Sequence, residues 1–214
     1  MPQLGEDRIV PVGAGGEGSI MNNLVEKKEA FRFGVSGDIG SFSEEAALLY
    51  ARKKGFNAHL VHLLDMEGVL NAIENETIEL GILPVVNLLG GLVKPAFQAM
   101  GKYSFTPIDE IWHDINQCLL VKTNTQNHKI THIVSHPQGF AQCKKFLKNK
   151  FKNAKKIEWI DTAKAAKDLA EGILPPHAAV IASARCAPLY DLKISARNIQ
   201  DSHLNRTAFI LVKK

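Results

Sequence analysis

The chain has 214 residues, of which 45% are apolar and 22% are charged, and its formal net charge is +4. These values are typical of a globular protein, and no apolar run approaches the roughly 20 residues needed to cross a bilayer, so we expect no membrane partner. The N-terminus has acidic residues where a secretory signal needs a basic segment followed by an apolar one, so we expect a cytoplasmic protein.

The first 30 residues differ in composition from the rest, and we interpret them as a flexible N-terminal extension. Gly13, Gly15 and Gly18 match the G-x-G-x-x-G spacing of dinucleotide-binding turns, which also need a strand before the glycines and a helix after them. Pro11 interrupts the candidate strand, and the candidate helix is only weakly apolar. We therefore favour a glycine-rich arm over a dinucleotide site and expect no cofactor.

Strand and helix patterns alternate from residue 31 onward. Strands are predicted at residues 31–35, 58–61, 80–85, 108–112, 117–121, 130–134, 157–160, 178–182, 195–198 and 208–212. Helices are predicted at residues 43–54, 65–75 and 162–171, with a lysine-rich amphipathic helix before the strand at residues 157–160. Repeated βαβ units predict an α/β protein of two lobes, each with a mostly parallel sheet flanked by helices. We expect lobe 1 to contain about residues 31–107 and 190–214, and lobe 2 about residues 108–189.

Seven lysines between residues 144 and 156 could in principle face the phosphates of a nucleic acid. Phe140 and Phe146 interleave with them at helical spacing, which favours the solvated face of an amphipathic helix, so we expect no nucleic-acid partner. The three cysteines lack CxxC spacing, and His59 and His62 have no third ligand nearby in the sequence. We therefore expect buried, reduced thiols and no metal site.

The loop at residues 34–45 is rich in glycine and leads into the first long helix. Ser43 is predicted to cap that helix, with Glu44 and Glu45 in its first turn. Free N–H groups at a helix N-terminus attract anions, so a carboxylate or phosphate of a ligand could bind there. The local sequence fits an ordinary capped helix equally well.

A second candidate site segment covers residues 135–143 and reads Ser-His-Pro-Gln-Gly-Phe-Ala-Gln-Cys. Ser135 is predicted to cap the helix that follows, and Gln138 can point into a cleft from its first turn. His136 is eligible as a general base because histidine titrates near neutrality, but a single histidine before a helix is more often a hydrogen-bonded structural residue. Thr162 begins another helix with the same anion-receptive geometry.

Three segments resemble the prephenate dehydratase family, and the resemblance covers about residues 31–212. Residues 37–43 are similar to the family's Gly-Pro-Glu-Gly-Thr-Phe-Ser, residues 135–143 to its Ser-His-Pro-Gln-Ala-Leu-Ala-Gln-Cys, and residues 207–209 to its Thr-Arg-Phe. The resemblance implies two α/β lobes like a type II periplasmic binding protein, with a small carboxylate substrate in the cleft between them. It also implies a homodimer, and because the chain ends at residue 214 we expect no regulatory domain.

The resemblance also implies roles for individual residues. Thr207 is expected to be catalytic, because the family's threonine serves the departing hydroxyl group of the substrate. The residues expected to bind substrate are Ser41, Asn87, Gln138, Thr162 and Phe209. Further candidates are His136, Asn116 and Arg206.

The chain departs from the family at several site segments. Ala208 stands where the family has the arginine of Thr-Arg-Phe, and Asp161 stands in place of the serine of Ser-Thr-Ala. Residues 84–92 have lost the acids and serines of the family's Pro-Ile-Glu-Asn-Ser-Ile-Glu-Gly-Ser. Because alanine cannot pair with a carboxylate as arginine does, we expect weaker binding of an anionic substrate unless a neighbour such as Arg206 substitutes.

Three functions are open at this point. The first is a prephenate dehydratase-like lyase with an altered anion site, which acts on prephenate or a close dicarboxylate analogue and forms phenylpyruvate in phenylalanine biosynthesis. The second is a prephenate decarboxylase that does not expel the hydroxyl group, and the retention of Thr207 counts against it. The third is a non-catalytic protein that binds a small carboxylate, which a two-lobed architecture accommodates. We favour the first because Thr207, Asn87 and Ser41 are present.

Overall fold

The computed structural model describes residues 9–10 and 30–214, so most of the predicted extension, with its glycine pattern, lies outside the described residues. The strands are β1 (Ile9–Val10), β2 (Phe31–Ser36), β3 (Ala58–Leu63), β4 (Leu80–Asn87), β5 (Gly91–Leu92), β6 (Thr106–Asp114), β7 (Gln117–Lys122), β8 (His132–Ser135), β9 (Lys155–Glu158), β10 (Ala178–Ser183), β11 (Leu192–Ala196) and β12 (Arg206–Lys213). The helices are α1 (Phe42–Lys54), α2 (Met66–Glu74), α3 (Lys94–Met100), α4 (Pro137–Gln142), α5 (Lys144–Lys150), α6 (Thr162–Glu171) and α7 (Cys186–Leu189). In the described part of the chain, none is long and apolar enough to span a membrane.

The strands form two sheets. The first has the order β1-β3-β2-β4-β12-β6, with β5 beside β4, and its β3, β2 and β4 run parallel. The second has the order β11-β7-β10-β8-β9, and its β10, β8 and β9 run parallel. The predicted α/β architecture of two lobes is confirmed. Both sheets are mixed rather than mostly parallel, because β12 and β7 pair antiparallel with both of their neighbours.

Two strands lie in the other lobe from the one predicted. β6 pairs with β12 in the first sheet, where His113 is opposite Thr207, and β11 pairs with β7 in the second sheet. The strands of the second sheet therefore lie between Gln117 and Ala196, whereas lobe 2 was predicted at about residues 108–189. The pattern within a strand sets which face is buried, whereas the sheet that it joins is set by a partner far away in the sequence.

Helices cover both faces of each sheet. In the first lobe, α1 packs on one face, where Ala47 and Tyr50 belong to the same buried cluster as Phe33 and Phe209. α2 and α3 cover the opposite face. In the second lobe, α6 covers one face, and α4 and α5 cover the other. Full burial of a side chain such as Phe33 stabilises the fold by about 1.5–3 kcal/mol, so these clusters fix the strand ends that carry the site.

Candidate active site

A cleft of about 720 Å³ lies between the two lobes. The first lobe lines it with the loop after β2 and with the ends of β4 and β12, and the second lobe lines it with the N-termini of α4 and α6. The cleft brings together seven of the predicted site residues, namely Ser41, Asn87, His136, Gln138, Thr162, Thr207 and Phe209. Their roles stay predictions, whereas their common location is a property of the fold.

The Thr207 hydroxyl is held by the side-chain amide of Asn87. Both residues are buried, and Asn87 Nδ2 donates to Thr207 Oγ1 at 2.9 Å and to Asn205 Oδ1 at 2.8 Å. Asn87 Oδ1 accepts the backbone N–H groups of Leu89 and Gly90, which fixes the orientation of the amide. Because Thr207 Oγ1 accepts from Asn87, its own proton is available to a ligand in the cleft.

A chain of three further amides extends from Asn87 into the second lobe. Gln142 Nε2 donates to Asn87 Oδ1 at 3.4 Å, and Gln142 Oε1 accepts from Gln117 Nε2 at 3.0 Å and from Asn205 Nδ2 at 2.9 Å. The orientation of Asn87 is set by backbone N–H groups, so the direction of each later hydrogen bond follows from it. The chain thus crosses the cleft and holds the donor beside Thr207 in place.

The sequence reasoning missed this amide chain. Gln142 lies inside the segment at residues 135–143, but its neighbour Gln138 was chosen because it stands in the first turn of the helix. Gln142 faces inward and is 4% exposed, and its partners Asn87 and Asn205 lie far from it in sequence. The sequence feature that could have pointed to the amide chain was the number of Asn and Gln residues within the segments that match the family.

His136 caps α4 and presents a neutral ring to the cleft. Its Nδ1 accepts the N–H of Gln138 at 3.2 Å, so the proton of the neutral ring is on Nε2. Burial lowers the pKa of His136 below its ordinary value, although Asp161 and Glu158 act in the opposite direction. The prediction that Ser135 caps this helix is wrong, because Ser135 Oγ donates to the carbonyl of Ile181.

The glycine-rich loop places Ser41, not Ser43, at the cap of α1. Ser41 Oγ accepts the N–H of Glu44 and donates to the carbonyl of Ser36, both at 3.3 Å. The predicted cap was wrong because α1 begins at Phe42, one residue before Ser43. Since the Ser41 proton is already used, the hydroxyl can only accept from a ligand.

Asp161 brings a carboxylate to the opposite end of the cleft. It caps α6, where its Oδ1 accepts the N–H of Lys164 at 2.8 Å. Burial raises the pKa of Asp161, while hydrogen bonds from the N–H groups of Lys164, Asp38 and Ala163 act in the opposite direction. Asp161 Oδ2 also lies beside Gly37 of the loop after β2, so this carboxylate contacts both lobes.

Two of the candidate site residues, Arg206 and Asn116, do not line the cleft. Arg206 is exposed, pairs with Asp114 at 3.0 Å and lies over the ring of Trp112. Asn116 is exposed and accepts from Gln200 Nε2. Successive side chains of a strand point to opposite faces, so residues 206 and 208 lie on the face of β12 away from the cleft, and residues 207 and 209 line it.

A further contact between the lobes lies at the start of α1, and we call it the clasp. Glu44 pairs with Arg185 at 2.5 Å and with His62 at 3.2 Å, and Glu45 accepts from the hydroxyl of Ser183. Burial alone would raise the pKa of Glu44, but hydrogen bonds from His62 and the Gly40 N–H, with the charge of Arg185, lower it. The clasp joins α1 of the first lobe to the end of β10 in the second.

The described part of the chain contains no group of three His, Cys, Asp or Glu side chains that could hold a metal ion. The three cysteines are buried free thiols, which confirms their predicted state. Burial raises the pKa of Cys143 to about 12, so this thiol stays protonated near neutrality.

The fold and the cleft define a two-lobed α/β protein with a polar site between its lobes. A sequence profile described as prephenate dehydratase matches residues 33–214, and the chain belongs to the prephenate dehydratase family. The family resemblance found in the sequence is thereby confirmed.

Relatives with assigned names agree with this membership. A bifunctional chorismate mutase/prephenate dehydratase of Buchnera aphidicola subsp. Schizaphis graminum is 32% identical over 182 residues, which is 85% of this chain and 47% of that protein. Arogenate dehydratase 1 of Petunia hybrida is 32% identical over 183 residues, which is 86% of this chain and 42% of that protein. The chain therefore spans about half the length of the curated relatives it matches.

The fold also matches a solved structure of a prephenate dehydratase from Arthrobacter aurescens in complex with L-Phe. The TM-score is 0.76 at 22% identity, and the match covers 86% of this chain and 60% of that one. This likeness supports the two-lobed fold independently of the site residues.

Proposed function

We propose that the chain is a lyase that expels water and carbon dioxide from prephenate, or from its close dicarboxylate analogue arogenate. The observation that carries the proposal is the Thr207–Asn87 pair, in which the amide donates to the threonine oxygen and leaves the threonine proton free. The names of the family relatives support a dehydratase of this kind.

The proposed reaction requires few groups other than hydrogen-bond donors held in position. Prephenate loses its ring hydroxyl as water and its ring carboxylate as carbon dioxide, with uptake of one proton overall, and the electron pair of the breaking C–C bond makes the ring aromatic. Thr207 donates its hydroxyl hydrogen bond to the departing oxygen, and the Asn87 amide stabilises charge that develops on the threonine oxygen. One donor of this kind contributes roughly 100- to 1,000-fold to a rate.

The remaining cleft residues orient the substrate. Phe209 is 1% exposed and supplies an apolar wall for the ring. His136 Nε2 and the side chains of Gln138 and Thr162 offer donors from the second lobe. This arrangement places donors on both lobes, as a substrate with two carboxylates requires.

The test is to incubate the purified protein separately with prephenate and with arogenate, and to follow substrate and products by liquid chromatography. We expect phenylpyruvate or phenylalanine, respectively. Thr207→Ala should lower the rate roughly 100- to 1,000-fold, whereas Thr207→Ser keeps the hydroxyl and should retain most of it.

Other outcomes would contradict the proposal in different ways. A non-aromatic product that has lost only carbon dioxide would indicate a decarboxylase. Two unchanged substrates would leave a binding function for the cleft. Equal rates for Thr207→Ala and the wild type would remove Thr207 from the mechanism even if an aromatic product forms.

A further inference from the structure

The α6 end of the cleft carries a partly buried carboxylate, Asp161, that the proposed bond-breaking steps do not use. Asp161 Oδ1 accepts the N–H of Lys164 at 2.8 Å, and its Oδ2 lies beside Gly37 of the other lobe. A carboxylate has about four lone-pair sites, so Asp161 keeps sites for a ligand in the cleft. The Lys164 N–H already donates to Asp161, so it is not free to bind a substrate carboxylate.

The charge of the cleft wall agrees with this picture. Among the described residues that line the cleft, the acids are Asp65 and Asp161, and the one lysine or arginine is Lys94, which is exposed. A substrate with two carboxylates therefore meets a wall without a positive excess. An ammonium group on the same substrate would offset one negative charge and find a partner in the wall.

Gln117 gives independent evidence that a ligand of this cleft carries a hydrogen-bond donor. Its side chain lines the cleft and is 3% exposed, and its Oε1 has no hydrogen-bond partner within residues 9–10 and 30–214. The orientation of this amide is fixed, because its Nε2 donates to Gln142 Oε1. A buried acceptor without a donor is unfavourable, so a ligand with N–H or O–H groups suits this wall.

We propose that Asp161 binds the ammonium group of an amino-acid substrate, and that the cleft thereby prefers an aminodicarboxylate to the keto dicarboxylate with the same carbon skeleton. This inference rests on the proposed lyase function, in which arogenate has the ammonium group and prephenate has the keto oxygen. Asp161 contacts the substrate but takes no part in bond breaking. Water and carbon dioxide leave as before, and the aromatic product keeps its amino group.

The test compares kcat/KM for arogenate and for prephenate in four proteins: the wild type, Asp161→Asn, Asp161→Ser and Glu158→Gln. Asparagine and serine both cap helices well, so the first two variants should fold, and thermal unfolding checks this. Glu158 is exposed and outside the cleft lining, so Glu158→Gln removes a nearby negative charge as a matched control.

We expect the wild type to favour arogenate by about 10-fold or more, and Asp161→Asn to lower kcat/KM for arogenate by about 10- to 100-fold, the range for a charge-assisted hydrogen bond. The preference should disappear in both Asp161 variants and persist in Glu158→Gln. A wild-type preference for prephenate, or a ratio unchanged in Asp161→Asn, would overturn the inference and leave the lyase proposal intact. Failure to convert or bind either substrate would overturn both.

Discussion

The two ends of the cleft differ in the polar groups that they present to a ligand. At the Thr207 end, the neutral side-chain amides of Asn87 and Gln142 form a hydrogen-bonded chain, and the donor and the acceptor of each hydrogen bond are fixed. At the Asp161 end, a single carboxylate accepts the N–H of Lys164 and lies beside Gly37 of the other lobe. The first end holds a donor, and the second end offers an acceptor with charge.

Under the proposed lyase function, this difference assigns bond breaking to the Thr207 end and the choice between substrates to the Asp161 end. A donor for a departing hydroxyl must be rigid, and it needs no net charge, because aromatisation supplies the driving force. A charged group in the cleft can discriminate one substrate from another, since an unpaired charge in a partly buried cleft is unfavourable. Changes at the Thr207 end should therefore act on kcat for every substrate, and changes at the Asp161 end on the ratio between substrates.

The largest expected effect is on kcat in Asn87→Asp. The substitution keeps the size of the side chain but replaces the donor beside Thr207 with an acceptor, so the threonine proton turns toward the introduced carboxylate and away from the substrate. We expect kcat to fall by roughly 100- to 1,000-fold for either substrate. Steady-state rates measure this, with Asn116→Asp, exposed and outside the cleft, as the matched control. A fall of less than about 10-fold would show that the amide does not direct the proton.

A smaller effect is expected for Gln142→Met, which keeps the length of the side chain and removes its polar atoms. Asn87, Asn205 and Gln117 each lose a hydrogen bond. We expect a loss of stability of about 1–3 kcal/mol in denaturant unfolding. We also expect kcat to fall by about 10-fold with little change in KM, because the donor beside Thr207 becomes less ordered. Lower stability with unchanged kcat would limit the amide chain to a structural role.

The contribution of the clasp to the stability of the fold should depend on pH. The pKa of Glu44 in the folded protein lies below its usual 4.5, so its stabilising effect is complete above about pH 4.5 and is lost as the pH falls through the lower, folded value. Glu44→Gln removes this titration. We expect the wild type to be more stable than the variant by about 1–3 kcal/mol at pH 7, and the gap to close below pH 4.5. A gap in Tm that stays constant from pH 7 to pH 3 would contradict this account.

The sequence carried more information about the fold than about the site. Local patterns located most strands, because alternation and helical spacing report burial directly. They could not assign β6 and β11 to their sheets, since pairing depends on distant partners. The site segments were found through the family resemblance, but the contacts of Gln142 with Asn87 and Asn205 join residues 55 and 63 positions apart, which no local pattern encodes. The approach of Gly37 to Asp161 was missed for the same reason.

The smallest expected effect on activity concerns Ala208, although it is the most visible departure from the family in the sequence. Ala208 is 4% exposed and lies opposite Val86 and Trp112, on the face of β12 that carries Arg206. Ala208→Arg would add a guanidinium group beside Arg206 and outside the cleft, so we expect kcat/KM to change by less than about 3-fold and stability to fall by about 1–3 kcal/mol through overpacking. Leu92→Arg makes a useful contrast, because Leu92 is 63% exposed and lines the cleft. A cation there should raise kcat/KM for prephenate more than for arogenate, since prephenate has the larger net negative charge. A 10-fold gain in Ala208→Arg would instead show that an arginine reaches the substrate from the far face of the strand, and the alanine would then account for altered chemistry.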